Sequence, residues 1–453
     1  MAPRAGAVHV VGGGLAGCEA ALQLARLGVP VVMHEMRPDR RTPAHRTGNF
    51  AEIVCSNSLK SLAPATASGL LKAELDRLGC RLLGAARRAA VPAGAALAVD
   101  REAFSAEVAT LLAAEPLIGI ARGEVAALPA GGAAAWIVAT GPLTSPALLE
   151  EVQRLSGRAG LHFFDAIAPT VTRESLDESR LYRAARYDRG EADYLNAAFD
   201  EPAYRAFHAA LMGAERADVH AFDRGDLFQG CQPIEEIAAS GPDTLAFGPL
   251  RPVGLRDPRT GRRPFAVVQL RQENREATLY GLVGFQTRLK WGEQGRVFRL
   301  IPGLEAAEFV RFGQLHRNFY LDTPRALAAG FALPARPDVR FAGQVTGVEG
   351  YVESIASGLV TAWLVAADLG GVPLPPWPPE TLMGALLFGF LYDATAPRLS
   401  PMNANFGLLP PLPAPPRSRE ARNLAQAARA LAALEAFLAQ PGPARLLAAS
   451  GAG

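Results

Sequence analysis

Cysteine is scarce in this 453-residue sequence, which contains four, and histidine is only slightly more frequent at seven residues. Four cysteines in a chain of this length do not make the disulfide framework that small secreted domains need. No two of them are spaced as Cys-x-x-Cys and the histidines are scattered, so the sequence shows no metal site. A cysteine with a chemical role here is therefore expected to act as a thiolate.

Long apolar runs are also missing. The longest uncharged stretch, residues 125–149, is interrupted by glycine and proline, and the run at 354–367 is shorter than the ~18 residues of a spanning helix. Glycines at 12–14 break the apolar start of the chain, and no small-residue cleavage pattern follows, so no signal peptide is expected. These features predict a soluble, cytoplasmic globular protein of roughly two to three domains.

A large net charge is absent as well, since 46 Lys and Arg face 44 Asp and Glu. The balance is uneven along the chain, because residues 251–317 contain 13 Lys and Arg against 6 Asp and Glu. This segment has a net charge of +7, which leaves −5 for the remaining residues. A basic segment can attract phosphate groups, but a solvated arginine-rich face has the same composition. Charge alone leaves both interpretations open.

The clearest motif that is present lies near the N-terminus. Residues 8–11 predict a buried strand, residues 19–27 a helix, and residues 29–34 a second strand that ends at Glu35. The turn between the first strand and the helix reads Gly12, Gly13, Gly14, Leu15, Ala16, Gly17. This is the dinucleotide-binding fingerprint in its full strand–turn–helix–strand context. The pyrophosphate is expected over the helix N-terminus, and the acidic side chain of Glu35 favours the unphosphorylated ribose of FAD or NAD.

Further segments predict a second part of the same domain. Residues 136–141 form an apolar strand, and residues 339–343 form another, which a helical pattern follows at 354–369. The glycines before that helix, which would let its N-terminus approach the cofactor, are Gly343, Gly347 and Gly350. The predicted fold class is α/β, with a discontinuous Rossmann-like domain and an α+β insertion. The predicted boundaries are 1–154 and 324–453 for the nucleotide-binding domain and 155–323 for the insertion.

Two cysteines and one histidine are candidates for chemistry. Cys55 lies in EIVCSNSLK and Cys231 in FQGCQPIEE, polar settings that suit a nucleophile, although a lone cysteine is more often a buried hydrophobe. The remaining cysteines are expected in the core, and none lies close enough to Cys55 for a local redox disulfide. His316 is either a surface histidine or a ring that stacks on a flat ligand. Arg288 and Lys290 add cations that suit a folate tail and a nucleic-acid backbone equally.

Together the motifs make the chain similar, over nearly its whole length, to the folate- and FAD-dependent tRNA uracil-5-methyltransferases. The matching stretches are VHVVGGGLAGCEAA, HRTGNFAEIVCSNSLKS, FFDAIAPTV, RYDRGEADYLN, FQGCQPIEE, FGPLRPVGL, VVQLRQEN, GFQTRLKWGEQ, RVFRLIPGLEAAEFVRFGQLHRN, FAGQVTGVEGYVESIASG and PMNANFGLLP. One departure is Lys60, which stands where relatives have arginine and keeps the charge without the bidentate fork.

The resemblance implies transfer of a methylene group from 5,10-methylenetetrahydrofolate to C5 of uridine 54 in the tRNA T-loop. Reduced FAD, regenerated by NAD(P)H, would supply the electrons that make it a methyl group. A thiolate must add to uracil C6 and a base must later remove the C5 proton. The motifs imply Cys231 as the C6 nucleophile and Cys55 as the base or a group beside the flavin, and these two roles could be exchanged.

The resemblance also implies the remaining binding residues. Glu35 and the glycine turn would bind the adenosine half of FAD, and the segment from Gly343 to Gly350 would hold its pyrophosphate and flavin end. His316 would stack the pterin on the isoalloxazine. Arg288 and Lys290 would contact folate or RNA. The expected partners are tRNA through its T-arm, folate and a nicotinamide nucleotide, with no metal and no membrane, in a monomer or weak dimer.

Two rival functions stay open from the sequence. The related wobble-uridine tRNA modification flavoproteins share the FAD fingerprints, but they have a long helical C-terminal extension, whereas only 51 residues follow Met402 here. A non-catalytic FAD- and tRNA-binding scaffold would keep the glycines and the basic segment, but it would not need Cys231 in its FQGCQPIEE setting.

Overall fold

The structure is a computed structural model, and it describes residues 6–157, 160–188, 191–217 and 232–451. The strands in these residues are β1 (Val8–Val11), β2 (Val31–Glu35), β3 (Ser58–Ser61), β4 (Ala90–Val91), β5 (Ala96–Val99), β6 (Ile118–Arg122), β7 (Ala135–Val138), β8 (Leu161–Ala166), β9 (Thr170–Thr172), β10 (Leu181–Arg183), β11 (Leu195–Phe199), β12 (Ala266–Gln272), β13 (Leu279–Leu282), β14 (Phe309–Arg311), β15 (Leu315–Tyr320), β16 (Ala332–Leu333) and β17 (Arg336–Phe341). The helices are α1 (Leu15–Arg26), α2 (Ala67–Arg77), α3 (Arg81–Arg88), α4 (Arg101–Ala113), α5 (Pro146–Ser156), α6 (Glu201–Met212), α7 (Ile234–Ala238), α8 (Thr244–Phe247), α9 (Trp291–Phe298), α10 (Thr323–Ala326), α11 (Tyr351–Gly370), α12 (Arg419–Leu438) and α13 (Pro441–Gly451).

The main sheet has the strand order β16-β17-β7-β1-β2-β6. Strands β6, β2, β1, β7 and β17 are parallel, and β16 is antiparallel to β17. Val8 of β1 pairs with Val31 on one side and Ala135 on the other. The chain thus leaves β1 towards one edge and returns to its other side, and ligands of open α/β sheets bind at the carboxyl ends of the strands at such a reversal point.

Helices α1 and α11 pack against each other beside this sheet. Helix α1 begins at Leu15, four residues before the predicted start, because the last residues of the glycine turn already form its first turn. Among the described residues, α11 is the one helix with the length and apolar composition of a membrane-spanning segment, but most of it is buried inside the protein, as in the core helix of a globular domain. Its 20 residues exceed the short apolar run that the sequence suggested.

The insertion contributes a second sheet with the order β10-β11-β12-β13-β9-β14, in which all pairs are antiparallel. A second hydrophobic core of residues between Val171 and Ala307 packs on it, separate from the core that surrounds the parallel sheet. A two-stranded ribbon of β8 and β15 pairs the backbone of His316 with that of residue 165. The predicted fold class is confirmed, and the predicted domain boundaries stay a prediction.

Candidate functional site

The first of two adjoining cavities, the glycine-loop cavity, lies at the carboxyl ends of β1, β2 and β7. It holds about 1040 Å³ of space and opens to solvent. The predicted cofactor-binding residues that line it are Gly12, Gly13, Gly14, Leu15, Ala16, Glu35 and Gly343. The fingerprint and the second glycine segment, more than 300 residues apart in sequence, therefore meet at one cavity.

The glycine turn has the geometry that a dinucleotide needs. Gly12 has φ +108°, and a Cβ there would lie 2.5 Å from the carbonyl oxygen of Ala139. A Cβ at Gly17 would lie 1.9 Å from the carbonyl oxygen of Gly12. Gly17 therefore allows α1 to pack closely on the turn, and it is not among the described residues that line the cavity. A Cβ at Gly14 would meet no described atom within 4 Å. Ligand atoms can therefore approach the backbone at Gly14 and the unpaired N–H groups at the start of α1.

Glu35 is buried at the end of β2, and both carboxylate oxygens already accept two hydrogen bonds each. Oε1 accepts from the backbone N–H and Nε of Arg37, both at 2.9 Å. Oε2 accepts from the Gly13 N–H at 2.8 Å and from Nη2 of Arg37 at 2.9 Å. Burial opposes ionisation, but the hydrogen bonds and charge of Arg37 outweigh it and lower the pKa of Glu35. Glu35 is therefore a fixed carboxylate, and a ribose hydroxyl would have to share or replace a contact with Arg37.

The second cavity, which we call the Cys55 cavity, holds about 1200 Å³ and contains Cys55, Lys60, His316 and Gly350 in its wall. The two cavities adjoin, because five residues line both of them; they are Val54, Pro142, Leu143, Gln344 and Tyr351. A ligand extended from the glycine turn could thus reach the Cys55 cavity.

Two largely buried arginines hold the backbone of the Cys55 loop. Arg101 donates to the carbonyl oxygens of Ile53 at 2.7 Å and Cys55 at 2.8 Å. Arg311 donates to the carbonyl oxygens of Val54 at 3.0 Å and Cys55 at 3.1 Å. Burial and the nearby charge of Arg101 lower the pKa of Arg311 to about 10, so both side chains are cations at neutral pH. Two positive charges therefore lie against the backbone carbonyl oxygen of Cys55.

The Cys55 loop is also tied to the second glycine segment. The backbone N–H of Cys55 donates to the hydroxyl of Tyr351 at 2.8 Å. Tyr351 is the first residue of α11 and follows Gly350, which has φ +112°. Gly347, in contrast, is not among the described residues that line either cavity and packs against Leu399.

His316 is buried in the wall of the Cys55 cavity, with 8% of its surface exposed. Its Nε2 is buried and has no hydrogen-bond partner among the described residues. Burial lowers the pKa of His316, so the ring is neutral at physiological pH. A neutral flat ring with an unused polar atom suits a stacked, hydrogen-bonding ligand.

The remaining predicted residues lie elsewhere. Cys231 lies outside the described residues. The helix that follows it, α7, is held by Glu235, which accepts from Thr287 Oγ1 and the backbone N–H of Arg288, both at 2.8 Å. Arg288 pairs with Glu236, and Lys290 pairs with Glu215 at 2.7 Å. Neither cation is among the described residues that line the two cavities.

Several residues of the site were not predicted from the sequence. Arg37 follows Glu35 by two positions, a spacing that could have indicated the ion pair. His45 lines the glycine-loop cavity, and burial together with the charge of Arg37 lowers its pKa to about 4. Arg101 and Arg311 gave no signal, because their contacts with the Cys55 loop are set by tertiary structure. Within the described residues, no cluster of three His, Cys, Asp or Glu is placed to hold a metal ion.

The glycine turn, the open helix N-terminus and the buried carboxylate fit a dinucleotide, and the parallel sheet positions them as a Rossmann-like fold does. These features define the class: a dinucleotide-binding protein with a discontinuous Rossmann-like domain. Comparison with known proteins agrees, since residues 7–373 match the family model described as glucose inhibited division protein A. The solved structure of Aquifex aeolicus GidA superposes with a TM-score of 0.70 at 17% identity, covering 98% of this chain and 75% of that one.

Relatives of higher identity narrow the class to one family. A protein of Desulforudis audaxviator is 54% identical over 96% of this chain and 99% of its own length. A protein of Lactiplantibacillus plantarum is 49% identical over 95% of this chain and 97% of its own. Both are named methylenetetrahydrofolate--tRNA-(uracil-5-)-methyltransferase TrmFO. The chain belongs to the TrmFO family, as the resemblance in its motifs predicted.

Proposed function

We propose that this folate-dependent tRNA uracil-5-methyltransferase methylates uridine 54 of the tRNA T-loop and draws its electrons from NAD(P)H. The observation that supports the proposal is that the glycine-loop cavity and the Cys55 cavity adjoin and share five wall residues. A dinucleotide anchored at the glycine turn can extend towards a cysteine and a flat, buried histidine, which is the arrangement that folate-dependent methylation of uracil requires.

The glycine-loop cavity would hold FAD, which, once reduced by NAD(P)H, would supply the two electrons that convert a methylene into a methyl group. The N–H groups at the start of α1 would bind its pyrophosphate, and the backbone near Gly343, which lines the same cavity, would hold it from the second glycine segment. Tyr351 and the Cys55 loop form the boundary at which the two cavities meet. The role of the protein here is to bind the dinucleotide and to set its position against the substrate.

The two cysteines divide the covalent chemistry. The Cys231 thiolate adds to C6 of uracil, and the resulting electron density at C5 forms the bond to the methylene carbon of 5,10-methylenetetrahydrofolate. A base then removes the C5 proton, and the bond between the methylene carbon and the folate nitrogen breaks with tetrahydrofolate as the leaving group. A hydride equivalent then adds to the methylene carbon to form the methyl group, and the sulfur leaves C6 as the 5,6 double bond is restored. We assign the role of the base to Cys55, which lines the Cys55 cavity and whose backbone carbonyl oxygen is held by Arg101 and Arg311.

The folate and tRNA contacts follow from the same assignment. His316 stacks the pterin of the folate, because its ring is buried in the Cys55 cavity and neutral at pH 7. Arg288 and Lys290 lie in the basic segment 251–317, which attracts the RNA backbone. The enzyme works in the cytoplasm on the T-arm of tRNA, as a monomer or weak dimer.

The test is methylation of an unmodified T-arm hairpin with 5,10-methylenetetrahydrofolate, NADH and FAD. The expected product is 5-methyluridine at position 54, and Cys231→Ser and Cys55→Ser each lower the rate by at least about 100-fold. Cys80→Ser, a half-buried cysteine at the start of α3, is the matched control and keeps the rate. Methylation by S-adenosylmethionine alone, or modification of an anticodon hairpin instead, would contradict the proposal.

A hairpin with 5-fluorouridine at position 54 separates the two cysteines. Fluorine at C5 leaves no proton for the base to remove, so the sulfur–C6 bond persists after carbon transfer. The covalent RNA–protein adduct is expected with the wild type and Cys55→Ser and absent with Cys231→Ser, measured by denaturing gel and peptide mass spectrometry. The opposite pattern would exchange the two roles.

A further inference from the structure

Trp291 stands apart from the other tryptophans of the chain. The chain has four tryptophans, all within the described residues. Trp136, Trp363 and Trp377 are 5%, 0% and 6% exposed, whereas Trp291, the first residue of α9, is 58% exposed. Because its indole remains largely in water, Trp291 contributes little to the free energy of folding. Exposed apolar surface of this kind is typical of binding sites.

The exposed indole is the outer end of a stack of three rings. Trp291 and Phe312 have ring centroids 5.8 Å apart at an angle of 13°, and Phe312 and Phe309 are 5.3 Å apart at 17°. The guanidinium of Arg299 lies 5.9 Å from the centroid of Phe309. Because the rings are nearly parallel and the outer one faces solvent, the stack can accept another flat ring.

The stack is held rigidly by hydrogen bonds from a buried glutamine. Gln294 of α9 donates to the carbonyl oxygens of Leu289 at 2.7 Å and Gly313 at 2.9 Å, and it accepts from the Gly313 N–H at 2.7 Å. A Cβ at residue 313 would lie 2.5 Å from Thr287, so the backbone beside Phe312 packs closely against its surroundings. A platform fixed in this way loses little conformational entropy when a ligand binds.

The position and charge of the stack indicate what binds there. Arg311, between Phe309 and Phe312, holds the carbonyl oxygens of Val54 and Cys55. Phe312 precedes His316 of the Cys55 cavity by four residues, a span of at most about 14 Å. The stack lies in segment 251–317, whose net charge is +7. A flat ring that arrives on a polyanion matches both properties.

We propose that the rings of Trp291, Phe312 and Phe309 form a stacking platform for one unpaired base of the tRNA substrate, beside the Cys55 cavity. The inference rests on the proposed function, because it takes tRNA as the partner. It adds a contact that fixes the RNA while the target base occupies the cavity. Stacking of this kind tolerates any base, since every base has a π-face.

Tryptophan fluorescence offers a direct test, because Trp291 is the one exposed indole of the four. Titration of the FAD-loaded enzyme with a T-arm hairpin is expected to quench the emission of the wild type and not that of Trp291→Phe. In methylation assays, Trp291→Ala is expected to raise KM for the hairpin about fivefold to 100-fold, and Trp291→Phe to raise it less. The kcat at saturating hairpin and the rate of flavin reduction by NADH stay at the wild-type values.

Phe247→Ala is the matched control, because this ring of the insertion is 82% exposed, and its KM is expected to stay at the wild-type value. Hairpins with one abasic loop position then identify the stacked base. The hairpin that lacks this base is expected to have the same KM with the wild type and with Trp291→Ala. A KM for Trp291→Ala within twofold of wild type, with no quenching, would overturn the platform while leaving methylation intact. Failure of the wild type to bind or methylate the hairpin would instead overturn the proposed function, and the platform with it.

Discussion

At the residue scale, the position of the Cys55 sulfur depends on two side chains that are distant from it in sequence. Arg101 and Arg311 share the carbonyl oxygen of Cys55 and hold the two carbonyls before it. Glu273 pairs with Arg101 at 2.6 Å and fixes its guanidinium. Because each guanidinium donates to two carbonyls, the loop is fixed in orientation as well as in place.

Arg101→Lys is therefore expected to lower methylation activity about 10-fold to 100-fold while FAD still binds. A lysine ammonium can pair with Glu273, but it is a point donor and cannot span the carbonyls of Ile53 and Cys55. We also expect the pH dependence of iodoacetamide labelling at Cys55 to change. Mass spectrometry of the Cys55 peptide measures the labelling rate at each pH.

The control for this substitution is Arg88→Lys, whose side chain is 52% exposed and pairs with Glu107. It is expected to keep wild-type activity and labelling. If Arg101→Lys changed thermal stability alone, with wild-type kinetics and labelling, Arg101 would be a structural residue without a positioning role.

At the scale of the elements, the crossing of α1 and α11 brings the glycine turn and the second glycine segment together. A Cβ at Gly358 of α11 would lie 2.2 Å from the carbonyl oxygen of Ala16 in α1, and a Cβ at Gly343 would lie 2.8 Å from the Ala16 Cβ. The helix backbones are therefore in direct contact at the edge of the glycine-loop cavity. The small residues at this crossing allow the two helices to pack closely, which places Ala16 and Gly343 in the wall of the cofactor cavity.

Gly358→Ala is expected to lower the free energy of unfolding by about 1–3 kcal/mol, because the added methyl group overlaps backbone atoms that have no room to move. FAD retained after purification, measured by absorbance, is expected to fall, since Ala16 lines the cavity. Both effects arise from the helix crossing.

Gly84→Ala in α3 is the matched helical control, because its added Cβ would approach Arg88 no closer than 3.6 Å. It is expected to stabilise the protein by about 0.5–1 kcal/mol and to leave FAD binding unchanged. If Gly358→Ala and Gly84→Ala had the same unfolding free energy and retained the same amount of FAD, the close crossing of α1 and α11 would be contradicted.

At the scale of the whole molecule, several buried or half-buried histidines have pKa values that folding lowers. Burial is the main cause at His9, His34, His45 and His316. The unfolded chain then binds more protons than the folded protein once the pH falls below 6.5, so these residues cost stability in acid. Glu74 acts in the opposite direction, since burial raises its pKa to about 8.

The contribution of His45 can be isolated as a difference from His45→Gln. With a folded pKa of about 4, the unfolding free energy of the wild type is expected to fall by about 2 kcal/mol relative to the variant between pH 7.5 and pH 5. Urea unfolding of both proteins at the two pH values measures it. A constant difference would show that the pKa of His45 is the same in the folded and unfolded states.

The sequence by itself determined the parts of this protein that depend on near neighbours. Strand β1, the glycine turn, helix α1 and Glu35 were all predicted, because strand propensity, helical spacing and turn chemistry act over a few residues. The fold class followed from the order of such segments, and the family followed from its motifs. Small errors, such as the start of α1, lie at element ends, where local signals are weakest.

Only the tertiary structure decided how these parts meet. Arg311 and Tyr351 contact Cys55 across 256 and 296 residues, and no local pattern indicates such pairs. His316 stands in a polar, arginine-rich sequence, yet the ribbon of β8 and β15 buries it in the Cys55 cavity. Residues as remote in sequence as Val54 and Tyr351 line both that cavity and the glycine-loop cavity. The packing of the whole core sets the distances between such residues, so their own local sequences do not determine them.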